Sequence, residues 1–202
     1  MIREEFSYSI RSKGDKFSED VYEPAEDTYL LLRAALDEVK STDFLLEIGC
    51  GCGTISKRLQ PLAGRVLATD ISPNAVKMAR KSGLDSVQAD LFRGIRARFD
   101  LIIFNPPYLP TKHEEKLSGW LNFAFDGGIT GIDTIFRFLE DVSDHLTVNG
   151  RALLLTSSLC DLDEVMKKAQ DAGLVADEVA NDSYFFERLA VLRLRACDSG
   201  CL

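Results

Sequence analysis

The residues that follow the apolar run at 99–104 could bind and orient a planar amide or amine nitrogen for reaction. They read Asn105-Pro-Pro-Tyr-Leu-Pro110, directly after the run at 99–104. An amide or exocyclic amine is a poor nucleophile, because its lone pair is delocalised, and it must be held in line with the electrophile. The Asn105 side-chain oxygen and the Pro106 carbonyl offer one acceptor for each –NH2 hydrogen, and Tyr108 offers a face for stacking. We therefore predict Asn105, Pro106 and Tyr108 as catalytic residues.

A glycine-rich loop at 49–53 could bind a ligand that resembles a nucleotide. Glu47 precedes it, and Gly49, Gly51 and Gly53 stand at alternate positions, so the backbone can turn sharply, approach a ligand closely and lead into a helix with free N–H groups. Thr54 occupies the place of the third glycine in a dinucleotide fingerprint, and no Gly-Lys-Ser/Thr follows. The spacing thus disfavours NAD and a Walker-type phosphate loop.

Acidic residues close the next two predicted strands. Asp70 follows the loop by about 20 residues, where a carboxylate can accept hydrogen bonds from ribose hydroxyls. Asp90 closes the third strand, where it could meet the amine of an adenine. These acids and the loop together predict a pocket for an adenosine without phosphates. Next to such a pocket, we interpret Asn105-Pro-Pro-Tyr as a functional segment and not only as a rigid turn.

Alternating strands and helices must position these residues. We predict a mostly parallel sheet covered on both faces, of the α/β class. Short apolar runs predict buried strands at 44–49, 65–70, 86–90, 99–105 and 150–156, and a closing hairpin lies at 174–195.

Three helices between the strands have recognisable patterns. Ser72 can cap a helix that stops at Gly83, and Asp161 can cap one that runs to Gly173. From Ile132, apolar residues recur with helical spacing as far as Leu146. A further helix within 21–36 begins near Pro24, and its first acidic residues, Glu26 and Asp27, suit a helix N-terminus on structural grounds alone.

From the composition and the absence of targeting patterns, we predict one cytoplasmic globular domain over 1–202. The 202 residues lack an internal repeat, an apolar run long enough to cross a bilayer, and a signal-peptide pattern. The net charge is −8, from 24 basic and 32 acidic residues, so unaided nucleic-acid binding is disfavoured. The five cysteines are expected to be reduced, and their spacing does not predict a metal site.

The glycine loop and the strand-end acids resemble Rossmann-like class I methyltransferases that use S-adenosylmethionine. That family's sheet has seven strands in the order 3-2-1-4-5-7-6, with strand 7 antiparallel. The stretches at 21–31, 47–53, 105–110 and 124–133 together resemble the HemK-type glutamine methyltransferases of the short eukaryotic and archaeal branch. Those enzymes modify the Gly-Gly-Gln motif of class I translation release factors.

The resemblance implies roles for particular residues, and these replace the purely structural interpretation of Glu26 and Asp27. It places Glu26, Asp27 and Thr28 at the S-adenosylmethionine pocket, together with Glu47, the loop glycines, Asp70, Asp90 and Asn105. Asn105 and Tyr108 would also bind the substrate amide. We expect a 1–20 extension without the N-terminal helical domain of longer members, a core at 21–156, and a small zinc-binding activator subunit at the edge of strand 3.

Other acceptors and roles remain open from the sequence. Asn-Pro-Pro-Tyr also occurs in enzymes that methylate adenine or guanine, and a lysine acceptor or a non-catalytic binding module is conceivable. The long connection at 109–130 carries Trp120, Phe123 and Phe125, which could cover the sheet end or contact substrate. His113 and His145 are assigned no chemistry.

Overall fold

A seven-stranded sheet organises the chain. The computed structural model describes residues 24–108 and 130–197. Its strands follow the order β3-β2-β1-β4-β5-β7-β6, in which β7 runs antiparallel to both of its neighbours and the other pairings are parallel. The predicted order and the closing hairpin are confirmed. The strands are β1 (Phe44–Ile48), β2 (Arg65–Asp70), β3 (Ser86–Gln88), β4 (Phe99–Phe104), β5 (Leu146–Ser157), β6 (Leu174–Ser183) and β7 (Arg188–Ala196).

Helices lie between the strands in the described ranges. Ser72 caps α3 by accepting a hydrogen bond from the Ala75 N–H, and Asp161 caps α5 by accepting one from the Glu164 N–H, as predicted. The helices are α1 (Glu26–Glu38), α2 (Thr54–Leu59), α3 (Pro73–Lys81), α4 (Asp133–Asp141) and α5 (Leu162–Asp171), with a 3-10 turn at Val142–His145. None of the described helices is long and apolar enough to cross a membrane.

The central strands are buried on both faces. Leu101 and Ile103 of β4 pack into one apolar cluster with residues of α1 and α2. Ile102 and Phe104 of the same strand point to the opposite face and pack with residues of α4 and α5. All four side chains are at most 3% exposed, which explains why the strand reads as an uninterrupted apolar run.

The structure corrects three predicted boundaries. The helix that begins near Ile132 ends at Asp141, and Leu146 is the first residue of β5 rather than the last turn of a helix. Val142 and Leu146 pack into the same cluster as α4, so their spacing mimics a helical period although the backbone has changed. β5 consequently begins before position 150. β3 ends at Gln88, which leaves Asp90 two residues beyond the strand.

Several predictions lie outside the described residues. These concern the 1–20 extension, most of the 109–130 connection with its aromatic residues and His113, and Cys201. The division of 1–202 into one domain stays a prediction.

Candidate active site

The predicted residues of the glycine loop and of the Asn-Pro-Pro-Tyr segment meet at one edge of the sheet. β1 lies between β2 and β4, with Ile48 in register with Phe104. Gly49 therefore lies beside Asn105: a Cβ atom at Gly49 would be 3.9 Å from the Asn105 carbonyl oxygen. This edge is where the chain connections reverse direction, the usual place for ligands in open α/β sheets.

The three loop glycines are required by the backbone path. Gly49, Gly51 and Gly53 have φ angles of 66°, 53° and 82°, in the left-handed region that side chains disfavour. A Cβ atom at Gly53 would also lie 2.6 Å from Leu84 Cδ1. The loop is thus a smooth backbone surface between β1 and α2, and it fits a cofactor that must approach the main chain closely.

Two of the predicted cofactor carboxylates brace this loop. Asp70 accepts hydrogen bonds from the Gly51 N–H at 2.9 Å and from the Ser72 N–H at 2.8 Å. Glu47 accepts one from the Ser56 N–H at 2.8 Å, so α2 does not present all of its N–H groups to a ligand. Each carboxylate oxygen has two lone pairs, so both side chains keep capacity for further donors.

Burial changes the acidity of these two carboxylates. It raises the pKa of Glu47 to about 7, although hydrogen bonds from Ser56 oppose the rise. It also raises the pKa of Asp70, against the opposing effect of its N–H donors. The cofactor side of the site therefore concentrates two acids in a place where ionisation is costly.

Asp90 has a partner that the sequence did not predict. Its carboxylate forms an ion pair with Arg137 of α4 at 2.8 Å. The two side chains are 34% and 54% exposed, so the pair is weak and can be displaced.

On the acceptor side, Asp27 joins α1 to the Asn-Pro-Pro-Tyr segment. One of its oxygens, Oδ2, accepts a hydrogen bond from Asn105 Nδ2 at 3.1 Å. A hydrogen bond also links Asp27 to the side chain of Tyr108. The other oxygen, Oδ1, accepts from the N–H and the hydroxyl of Thr28 at 2.6 and 3.2 Å. Asp27 and Thr28 are 5% and 7% exposed, so this small network is buried beside Asn105.

The network leaves one oxygen of Asn105 unpaired. Asn105 Oδ1 is buried and has no hydrogen-bond partner among residues 24–108 and 130–197, while Nδ2 of the same amide faces the Asp27 carboxylate. The reverse orientation of the amide would bring two oxygens together, so Asp27 fixes which atom is left over. A buried acceptor without a donor costs about 1–3 kcal/mol, so this oxygen favours a ligand that brings an N–H.

Tyr108 contacts Cys160 through its backbone and Asp27 through its side chain. Its backbone carbonyl accepts a hydrogen bond from Cys160 Sγ at 3.1 Å. Burial, followed by the negative charges of Asp27 and Glu187, raises the pKa of its hydroxyl. Tyr108 therefore stays neutral. Its side chain is half-buried, whereas Pro106 is buried. Both lie next to Asn105, and their catalytic roles stay predictions.

An open cleft of about 310 Å³ lies against this network. Glu26, predicted at the cofactor pocket, lies exposed on its rim. Tyr184, Glu187 and Leu189 of the β6–β7 hairpin also line it, and the sequence analysis did not assign them to the site. The aromatic run at 184–186, within a tight turn, is the feature of the sequence that could have indicated their place at the site. The lining residues are Ala25, Glu26, Asp27, Tyr108, Tyr184, Glu187 and Leu189.

The described cysteines do not form a metal site. Cys50, Cys52, Cys160 and Cys197 are free thiols. In the ranges 24–108 and 130–197, no group of three or more His, Cys, Asp or Glu side chains could hold a metal ion.

Comparison with known proteins identifies the family. The methyltransferase small domain family matches residues 7–181. The chain belongs to this family. A relative named as a protein N5-glutamine methyltransferase, from Methanocaldococcus jannaschii, is 40% identical over 184 residues, covering 88% of this chain and 92% of the relative.

Two further matches extend the comparison within the methyltransferase family. The methyltransferase HEMK2 of Homo sapiens is 35% identical over 190 residues, covering 86% of this chain and 89% of the relative. A solved structure of the E. cuniculi Mtq2–Trm112 complex, described as responsible for methylation of the eRF1 translation termination factor, matches with a TM-score of 0.73 and 28% identity. It covers 88% of this chain and 99% of that chain. The predicted resemblance and the Rossmann-like methyltransferase fold are confirmed.

Proposed function

We propose that this methyltransferase transfers a methyl group from S-adenosylmethionine to the side-chain nitrogen of the glutamine in the Gly-Gly-Gln motif of a class I translation release factor. The observation that carries the proposal is the unpaired, buried Oδ1 of Asn105 beside the glycine loop. The names of the relatives from M. jannaschii and of the eRF1 methyltransferase subunit mtq2 from Schizosaccharomyces pombe, 30% identical over 206 residues, support the same acceptor.

The glycine-loop side of the site fits S-adenosylmethionine, which supplies an electrophilic methyl group on a sulfonium. At Gly49, Gly51 and Gly53, where φ is positive, no side chain stands between the cofactor and the main chain. Asp70 would bind the ribose hydroxyls while keeping the Gly51 N–H, and Asp90 would exchange Arg137 for the adenine amine. We assign Glu26, Thr28 and Glu47 to the surroundings of the same pocket.

Asn105 and Pro106 would hold the acceptor amide. Asn105 Oδ1 accepts one –NH2 hydrogen and the Pro106 carbonyl accepts the other, so the nitrogen lone pair is directed out of the plane that the two acceptors define. Both acceptors stabilise the positive charge that develops on nitrogen during transfer. Tyr108 provides a neutral aromatic face for the planar amide.

Asp27 acts as a positioning residue. Its carboxylate accepts from Asn105 Nδ2 and is linked to Tyr108, so it holds two residues of the segment at once. The resemblance had implied a place at the cofactor pocket for Asp27. Its hydrogen bond to Asn105 favours a role in orienting that residue, which is shared by the two halves of the site.

Nucleic-acid acceptors remain the main alternative. Adenine and guanine also carry planar amines, but a phosphate backbone requires many Lys or Arg contacts, and the chain carries a net charge of −8. No observation in the described residues favours this alternative over a protein acceptor.

We also propose a small zinc-binding activator subunit at the β3 edge of the sheet. The E. cuniculi structure that matches this chain is a complex with a second protein, Trm112. β3 is an outer strand of three residues, and Val87 on it is 43% exposed. Recovery of this chain alone as a soluble and fully active protein would count against the subunit. The predicted cytoplasmic location suits a substrate that works in translation.

The proposed reaction is tested by incubating the chain, with and without an activator, with labelled S-adenosylmethionine and a class I release factor. Peptide mass spectrometry should find the label on the glutamine of Gly-Gly-Gln, and a release factor with Gln→Ala there should remain unlabelled. Label in DNA or RNA controls instead would overturn the proposal in favour of the nucleic-acid alternative.

A further inference from the structure

We propose that Tyr184, Phe185 and Phe186, at the turn between β6 and β7, form an aromatic tip that docks the protein substrate beside the cleft. The proposal rests on the proposed function, because it assigns to the release factor a second contact away from the reacting glutamine.

The aromatic tip is unusually exposed for its residue types. Phe185 and Phe186 are 92% and 85% exposed, and Tyr184 is 43% exposed. The two phenylalanine rings contact each other edge to face, with centroids 4.5 Å apart. Burial of a phenylalanine side chain is favourable, so a partner that covers both rings gains binding free energy.

The backbone under the rings is already ordered. The Tyr184 N–H donates to the Glu187 carbonyl at 2.7 Å, which closes the turn. Glu187 accepts from the Ser157 hydroxyl at 2.6 Å, and the Arg188 N–H donates to the Ser158 hydroxyl at 2.9 Å, so the turn is tied to the end of β5. Binding to a fixed turn costs less ordering entropy than binding to a flexible one.

The aromatic tip is continuous with the candidate active site. Tyr184 and Glu187 line the same cleft as Asp27 and Tyr108. Ser157 at the carboxyl end of β5 is in register with Leu189, so the turn lies at the same edge of the sheet as Asn105. A ligand that places an amide in the cleft and also covers Phe185 and Phe186 must extend well beyond one side chain, as a protein loop does.

The charges around the aromatic tip favour a polypeptide over a nucleic acid. Among the described residues, Glu26 and Glu187 line the cleft beside the aromatic tip, and Asp182, two residues before Tyr184, pairs with Arg33. Within residues 24–108 and 130–197, neither Glu26 nor Glu187 forms an ion pair with a basic side chain, so the described surface beside the tip is acidic. A phosphate backbone would be repelled, whereas an apolar protein loop flanked by basic residues would be accommodated.

The test replaces both phenylalanines, F185S/F186S, in the full chain with its activator present. We expect KM for an intact release factor to rise about 10- to 100-fold, which corresponds to the burial of about one phenylalanine side chain or to the partial burial of both. The kcat, the affinity for S-adenosylmethionine and the KM for a short Gly-Gly-Gln peptide should change less than twofold. F185L/F186L should restore most of the release-factor affinity, since apolar area rather than base stacking is required.

The matched control is V148S. Val148 is 95% exposed near the amino end of β5, at the opposite edge of the sheet, and its replacement should leave every parameter unchanged.

Three results would overturn the aromatic-tip proposal alone: an unchanged KM for the release factor, an equal rise in KM for the short peptide, or a loss of thermal stability or activator binding in F185S/F186S. The last would mean that the rings cover another part of this chain or the activator. If the unmodified chain does not label a release factor at all, the proposed function fails and this proposal fails with it.

Discussion

The two halves of the site treat their polar groups differently. On the glycine-loop side, Asp70 and Glu47 already accept hydrogen bonds from backbone N–H groups of the loop and of α2. On the acceptor side, Asp27 is saturated by neighbours while Asn105 Oδ1 is buried without a donor. The glycine-loop half is thus a braced surface, whose carboxylates hold the backbone in place. The acceptor half presents an oriented acceptor, Asn105 Oδ1, which gains its hydrogen-bond donor only when substrate binds.

This difference separates binding from chemistry. Loss of a bracing carboxylate should change the shape of the glycine loop and hence the affinity for S-adenosylmethionine. Loss of the unpaired acceptor should change the rate of transfer, since its hydrogen bond is made to the reacting group. Substitutions on the two sides should therefore affect different parameters.

The largest effect is expected from Asn105→Ala. Removal of an acceptor that strengthens its hydrogen bond in the transition state typically lowers kcat about 100- to 1,000-fold. The affinity for S-adenosylmethionine should be nearly unchanged, as measured by calorimetry. A variant with normal turnover would show that Asn105 does not hold the acceptor.

Asp70→Ala should act on binding instead. Loss of the hydrogen bond to Gly51 and of the expected contact to ribose should weaken S-adenosylmethionine binding about 10- to 100-fold, the range for hydrogen bonds to a charged group. With saturating S-adenosylmethionine, kcat should stay within a few-fold of normal. A lower kcat with intact affinity would reverse the assignment of the two halves.

Asp27→Asn should produce a smaller loss of turnover. An asparagine of the same shape can donate as well as accept, so Asn105 is no longer fixed in one orientation, and we expect about a 10-fold lower kcat. The informative control is the double variant with Asn105→Ala, whose kcat should lie close to that of Asn105→Ala alone, because Asp27 then has only Tyr108 left to position. Additive losses would indicate an independent role for Asp27.

The smallest effect is expected from Glu47→Gln and concerns stability. The pKa of Glu47 is raised by burial from 4.5 to about 7 in the folded chain, so the folded state binds more protons than the unfolded state between these values, and stability falls as pH rises. Glutamine keeps an acceptor for the Ser56 N–H without this cost. The free energy of unfolding of Glu47→Gln relative to the unmodified chain should therefore increase by about 1 kcal/mol from pH 6 to pH 7.

Denaturant unfolding of both chains at these two pH values gives that difference directly. A difference that does not depend on pH would mean that Glu47 is ionised at its ordinary pKa in the folded state.

The sequence predicted the glycine-loop side better than the acceptor side because the loop depends on local residues. Left-handed glycines, a strand-end acid and a helix cap are visible within a few positions of one another. The contact between Asp27 and Asn105 spans 78 positions and depends on how α1 packs against the sheet, so the pattern of either segment alone did not contain it.

Two other features were missed for similar reasons. Leu146 keeps the helical spacing of α4 because both pack into one cluster, so periodicity could not show where the helix becomes β5. Tyr184 and Glu187 enter the cleft only because β7 returns antiparallel beside β5. The sheet order was predicted, but it did not indicate which turn would border the site.

The most direct test of the account measures single-turnover methyl transfer and S-adenosylmethionine affinity on the same preparations of the unmodified chain, Asn105→Ala and Asp70→Ala, with a class I release factor as acceptor. The account predicts that Asn105→Ala binds S-adenosylmethionine normally and transfers at least 100-fold more slowly, whereas Asp70→Ala binds it weakly and transfers at nearly the normal rate once saturated. Equal losses of affinity and rate in both variants would contradict the separation of the site into a braced cofactor surface and an oriented acceptor.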